Sequence, residues 1–125
     1  MNEAPIGTFA VSASAADVSA FCRAAHLPDG DALPFTYPIR WLARPEVRAG
    51  LTVLVPESDL VPFHESQSFD YARPLRRETA YALAVTARRE HAPERLVVAA
   101  TISAEDGTVA ATIETVLRLF STQRA

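Results

Sequence analysis

His64 is the side chain in this sequence whose type and neighbours best suit acid–base chemistry. It stands in the stretch Pro62-Phe63-His64-Glu65-Ser66-Gln67-Ser68-Phe69-Asp70-Tyr71-Ala72-Arg73-Pro74-Leu75, beside a carboxylate and an amide. An imidazole changes charge near neutral pH, so it exchanges protons under ordinary conditions. The stretch reads as a strand that ends at Pro74, which has no N–H for a ladder. Plain alternation puts Glu65, Gln67, Phe69 and Tyr71 on one face and His64, Ser66, Ser68 and Asp70 on the other. Two roles stay open for His64: an acid–base group, or a structural histidine bonded to backbone.

Other candidate groups are scattered. Arg73, Arg76 and Arg77 form a basic cluster just past the strand, suited to phosphate groups or an acidic partner, or simply a solvated turn. Tyr37 and Trp41, near Arg40, are either channel-lining or core aromatics. His26 and His91 sit in polar turn contexts, and no two histidines have metal-ligand spacing, so no metal site is expected. The single cysteine, Cys22, excludes an internal disulfide and lies on an apolar helical stripe, where a buried, inert thiol is expected. All 12 basic residues are arginine, which excludes lysine Schiff-base chemistry. No glycine-rich phosphate loop is present.

The elements that must position these groups follow from pattern. Thr8–Val11 is a short strand. Ser14 caps a helix in which Val18, Phe21, Cys22 and Ala25 share one stripe. Residues 34–63 are broken by five prolines. Pro38 suits a first helical position, Ile39, Leu42 and Ala43 keep helical spacing, and Pro45 kinks or restarts the helix into 46–51. Leu51–Val55 reads equally as helix or strand. Beyond the His64 strand, Thr79–Arg89 alternates with Tyr81, Leu83 and Val85 on one face, and 91–94 is a turn. Leu96–Ser103 is a β-branched strand. Glu105-Asp106-Gly107-Thr108 is a hairpin turn, and Val109, Ala111, Ile113, Thr115, Leu117 and Leu119 alternate after it. The expected product is a strand, a helix, an irregular helical segment and four strands in antiparallel succession. The 38–51 segment is expected to cover the sheet's apolar face.

With 125 residues and 49% hydrophobic content, the chain is expected to be one globular domain, 1–125. A net charge of −3 gives no field for nucleic acid or an anionic membrane. No signal peptide or membrane span is apparent, so a cytoplasmic protein is expected.

Leu33-Pro34-Phe35-Thr36-Tyr37-Pro38 and the His64–Leu75 segment together resemble the N-terminal-type domain of MaoC-like hydratases and dehydratases, a likeness that runs from about Phe9 to Leu117. The resemblance implies an α+β hot-dog fold, a curved antiparallel sheet wrapped around a central helix, acting on acyl thioesters without a cofactor. The family's acid–base loop has the form D-x-N-P-x-H. Here Asp31 and Pro34 match its aspartate and proline, Leu33 replaces the asparagine, and Thr36 stands where the histidine belongs. A threonine hydroxyl does not exchange a proton near neutral pH, so half of the pair is missing. Asp31 and His64 are then the catalytic candidates, with Thr36, Tyr37, Arg40, Trp41, Arg73 and Arg76 as substrate-binding candidates. The implied ligand is an acyl-CoA or acyl-carrier-protein thioester, and the implied assembly a homodimer, or a heterodimer with a second hot-dog subunit. The reading is a subunit of an (R)-specific enoyl-CoA hydratase or 3-hydroxyacyl-thioester dehydratase, the substrate-binding half. The alternatives are a self-sufficient hydratase or thioesterase, and a non-catalytic homodimer that binds acyl thioesters.

Overall fold

A computed structural model describes residues 3–122. In chain order the elements are β1 (Ala4–Val11), α1 (Ala15–Ala25), α2 (Ile39–Leu42), α3 (Pro45–Leu54), β2 (Leu60–Tyr71), β3 (Tyr81–Glu90), β4 (Arg95–Ser103) and β5 (Val109–Ser121). The five strands form one antiparallel sheet in the order β1-β3-β4-β5-β2. Helices cover one face of this sheet, the α+β hot-dog arrangement that the resemblance implies.

The local signals explain the boundaries. Ser14 Oγ accepts from the Asp17 backbone N–H at 3.0 Å, capping α1. The helix stops at His26, whose left-handed backbone lets its N–H reach back to the carbonyls of Arg23 and Cys22. Pro45 occupies the first position of α3, where its missing N–H costs nothing. The open reading of 51–55 resolves as helix through Leu54. Thr108 donates its N–H to Asp106 Oδ1 at 3.0 Å, and Gly107 takes φ 88°, closing the β4–β5 hairpin.

Two expectations need correction. The four later strands do not pair in simple succession, because β2 lies against β5 rather than β3. Residues 72–80 do not turn back as a hairpin. Leu33 N–H donates to Leu75 O at 2.7 Å, Arg77 N–H to Asp31 O at 3.1 Å and Glu78 N–H to Ala13 O at 2.7 Å. Those bonds carry the chain across the sheet's end, so that β3 begins far from β2. Val109 also leaves the inner face. The register slips between Ile102 and Ser103, so Ala110 is buried while Val109 is 46% exposed.

The inner faces of β3 (Tyr81, Leu83, Val85, Ala87), β4 (Leu96, Val98, Ala100, Ile102) and β5 (Ala111, Ile113, Leu119) make the core, with Val18 and Cys22 of α1, Trp41 of α2 and Val47 of α3. Gly50 lets α3 approach β1 closely, since a Cβ there would sit 2.7 Å from Ile6 Cγ2. Ile6 is β-branched and stiff, so it cannot easily yield. At the other end, Arg89 of β3 donates to the Leu54 carbonyl at 3.0 Å and pairs with Glu57 at 2.9 Å and Glu94 at 2.7 Å. One guanidinium thus ties the C-terminus of α3 to the β3–β4 turn.

Gly50→Val is expected to cost about 1–3 kcal/mol from overpacking, whereas Gly30→Ala, with open space around it, stays within about 0.5 kcal/mol; urea unfolding of both variants checks this. Hydrogen bonds from Arg89 to Glu57, and from His91 and then Arg89 to Glu94, hold both carboxyls below the ordinary glutamate value. A depressed carboxylate stabilises the fold above its unfolded pKa, and that contribution disappears as pH falls through the folded one. Unfolding midpoints taken across the acid range should therefore fall less steeply for Glu57→Gln than for the natural chain.

Candidate functional site

The inner face of β2, β5 and β4 meets α2 and α3 incompletely. Between them runs an apolar groove made of two adjoining hollows that share Leu51 and Leu117. One, of about 330 Å³, lies between Arg48, Thr52 and Val55 of the α3 side and Leu60, Pro62, Leu96 and Leu119 of the sheet. The other, of about 270 Å³, lies between Ile39, Leu42 and Ala43 and the side chains of His64, Val98 and Thr115. His64 therefore lines a mostly apolar groove in which Arg48, Thr52 and Thr115 are the other polar side chains, the setting in which a few polar groups orient a bound ligand.

A bulge in β2 puts it there. His64 opposes Leu117 and Ser66 opposes Val116, so Glu65 is an extra residue with no counterpart on β5. Beyond the slip the faces exchange. Gln67 opposes Thr115, and Phe69 opposes Ile113, all on the inner face with His64. The expectation that Gln67 and His64 lie on opposite faces is thus overturned, because strict alternation holds only where no residue is inserted. Glu65 does point outward, where it pairs with Arg95 at 2.9 Å and Arg118 at 3.8 Å, and hydrogen bonds from Arg95 lower its pKa.

The exchange joins three side chains. His64 Nε2 lies 3.0 Å from Gln67 Oε1, Thr115 Oγ1 donates to the same oxygen at 2.7 Å, and Gln67 Nε2 donates to the Glu114 carbonyl at 3.1 Å. The His64 ring is exposed and its partner is a side chain, not backbone.

The other candidates lie elsewhere. Asp31 does not line the groove; its carboxylate is paired with Arg76, and its backbone carbonyl accepts from Arg77. Arg77 pairs with Asp29, whose pKa is lowered by bonds from Ser19 and Arg77. Arg73 donates to Thr108 Oγ1 at 2.5 Å. The basic cluster is therefore bonded within the chain. Tyr37 and Trp41 stand in the core instead of lining the groove, at 4% and 6% exposure, and Arg40 lies 5.3 Å above the Tyr37 ring. Thr36 is exposed in the turn leading into α2, where its carbonyl accepts from Ile39 N–H. That turn is tethered to the inner face of β2. The Tyr71 hydroxyl donates to Phe35 O at 2.6 Å, burial pushes its pKa up to about 12, and the Phe35 ring packs on Phe69 and Tyr71. Among the described residues no cluster of histidine, cysteine or carboxylate side chains has the makings of a metal site.

Gln67 and Thr115 escaped sequence reasoning because a polar side chain on a strand signals nothing until the register is known. Phe69 and Tyr71 were assigned to the same face as Gln67, and that part of the pattern survives beyond the bulge.

No protein-family model matches the chain, and neither does any curated protein sequence. Solved structures do share its fold. HtdX of Mycobacterium tuberculosis superposes with a TM-score of 0.63 at 16% identity over 90% of this chain and 50% of that one, so the chain spans half the length of HtdX. HadBC, a 3R-hydroxyacyl-ACP dehydratase complex of the same organism, gives 0.67 at 14% identity over 87% and 90%. A 1,4-dihydroxy-2-naphthoyl-CoA thioesterase from Synechocystis gives 0.65 at 15% identity over 91% and 81%. The hot-dog fold is common to hydratases, dehydratases and thioesterases, and this chain has it. No helix of the described residues is long and apolar enough to cross a membrane.

Because the His64 ring is exposed and bonded to one side chain, His64→Ala is expected to change the stability of the isolated chain by no more than about 0.5 kcal/mol, measured by urea unfolding.

Proposed function

We propose that this chain is the substrate-holding subunit of an (R)-specific enoyl-thioester hydratase or 3-hydroxyacyl-thioester dehydratase. The observation that carries the reading is the apolar groove with His64 part-way along it, which fits an acyl chain whose polar carbons pause at one hydrogen-bonding point. Hydration of an enoyl thioester needs one group to activate water and another to protonate the α-carbon. Thr36 supplies neither, and Asp31 is engaged by Arg76. A partner subunit then brings the intact acid–base pair, and this chain lines the acyl channel.

The proposed seam is β2, an edge strand of twelve residues with Phe63 at 56% exposure near one end. An edge that long is a template for pairing with another chain. The partner is a second, different hot-dog subunit, because another copy of this chain would carry the same Thr36 and the same Asp31 paired with Arg76; the ligand is an acyl-CoA or acyl-carrier-protein thioester. A second reading, a self-sufficient hydratase or thioesterase, draws on one observation: His64 already has a hydrogen-bonded support within the groove.

Crotonyl-CoA hydration by the purified chain separates the two. The chain alone is expected to show little or no turnover, and addition of a second hot-dog subunit encoded beside it should restore the reaction. Turnover by the chain alone at ordinary enzyme rates, about 1–10³ per second, sinks the subunit reading. Leu117→Arg, which puts a cation in the floor shared by both hollows, should abolish binding of a saturated acyl-CoA measured by calorimetry.

A further inference from the structure

The hydrogen-bond chain on the inner face of β2 has a direction, and it begins at a backbone atom. The Glu114 carbonyl oxygen can only accept, so the Gln67 amide atom facing it, 3.1 Å away, is the nitrogen. The amide oxygen is thereby turned to the other side, where it meets Thr115 Oγ1 at 2.7 Å and His64 Nε2 at 3.0 Å. An amide oxygen also only accepts. Both neighbours must therefore donate, and in the neutral imidazole the proton resides on Nε2. Nδ1 is left as the ring's lone-pair nitrogen. It has no partner among the described residues, and the ring lines the groove.

We infer that Gln67 is a positioning residue that fixes His64 in its Nε2–H form, so that Nδ1 is offered as a hydrogen-bond acceptor to a hydroxyl on the acyl ligand in the groove. The inference rests on the acyl-thioester reading above for the ligand, but not for the tautomer, which follows from the strands alone. The ladder between β2 and β5 sets it: a β5 carbonyl orients the amide, the amide orients the proton, and the proton's location selects what the ring accepts. An acyl chain with a hydroxyl donor at that point satisfies Nδ1. A saturated chain of the same length leaves it to water.

The test has two arms. Solution NMR of the ¹⁵N-labelled chain, recorded in the cold with the ring neutral, reads the proton directly. A resolved Nε2–H correlation for His64 is expected. It should be lost to exchange in Gln67→Leu and kept in Gln67→Glu, which preserves an acceptor oxygen; circular dichroism confirms that each variant is folded. A proton on Nδ1, or an Nε2–H signal that Gln67→Leu leaves unchanged, overturns the positioning role. Calorimetry with two probes, octanoyl-CoA and (R)-3-hydroxyoctanoyl-CoA, reads the consequence. One neutral hydrogen bond should favour the hydroxylated probe by about fivefold. That preference should vanish in His64→Leu and shrink in Gln67→Leu. Equal binding of both probes by the natural chain overturns the inference while the acyl-thioester reading stands. Binding of neither probe overturns that reading and this inference together.

Discussion

One inserted residue governs the inner face of β2. A strand's side chains alternate with a period of two, so a single extra residue exchanges every face beyond it. With Glu65 set aside by the bulge, His64 and Gln67 fall on the same side of β2 and meet Thr115 of β5. Without it, an imidazole and an amide three positions apart would point to opposite sides of the sheet. The polar point within the apolar groove exists because the ladder is imperfect at that one place.

The ionic structure of the chain is built around arginine and serves the frame more than the groove. Arg89 binds Glu57, Glu94 and the Leu54 carbonyl, holding the end of α3 to a turn. Arg76 and Arg77 pair with Asp31 and Asp29 and so stitch the 29–33 loop to the 72–80 crossover. A planar guanidinium with five donors suits such multiple attachments better than an ammonium does. The groove itself has mostly aliphatic walls, with Arg48 and Thr52 on the α3 side and a short hydrogen-bond chain on the sheet side.

The sequence was most legible where the pattern is local. The cap at Ser14, the restart at Pro45, the turn at Asp106-Gly107 and the alternation of Tyr81, Leu83 and Val85 each depend on a few adjacent residues, and each appears in the structure as expected. The pairing of β2 with β5 was hidden, because it depends on which distant strand closes the sheet and on the 72–80 segment bonding to residues 13, 31 and 33. The bulge was hidden for the same reason: Glu65 is surplus only when counted against β5. Leu51–Val55 was ambiguous because a short apolar run fits either element, and packing decided it. Asp31 was singled out as a catalytic candidate, and its engagement by Arg76 was hidden because it depends on a contact 45 residues away.

The free side of β2 also bears on how far assembly can go. A long flat edge adds strand after strand without limit, which is the route to fibres. This edge is not flat. Pro62 removes one backbone donor within β2, and the bulge at Glu65 bends the strand and breaks the regular spacing of its ladder. A neighbouring chain must match both irregularities to pair along the full length, and a mismatched segment from an unfolded protein finds only short runs to hold. The irregularity that gathers the polar cluster on the inside thus also guards the outside against aggregation.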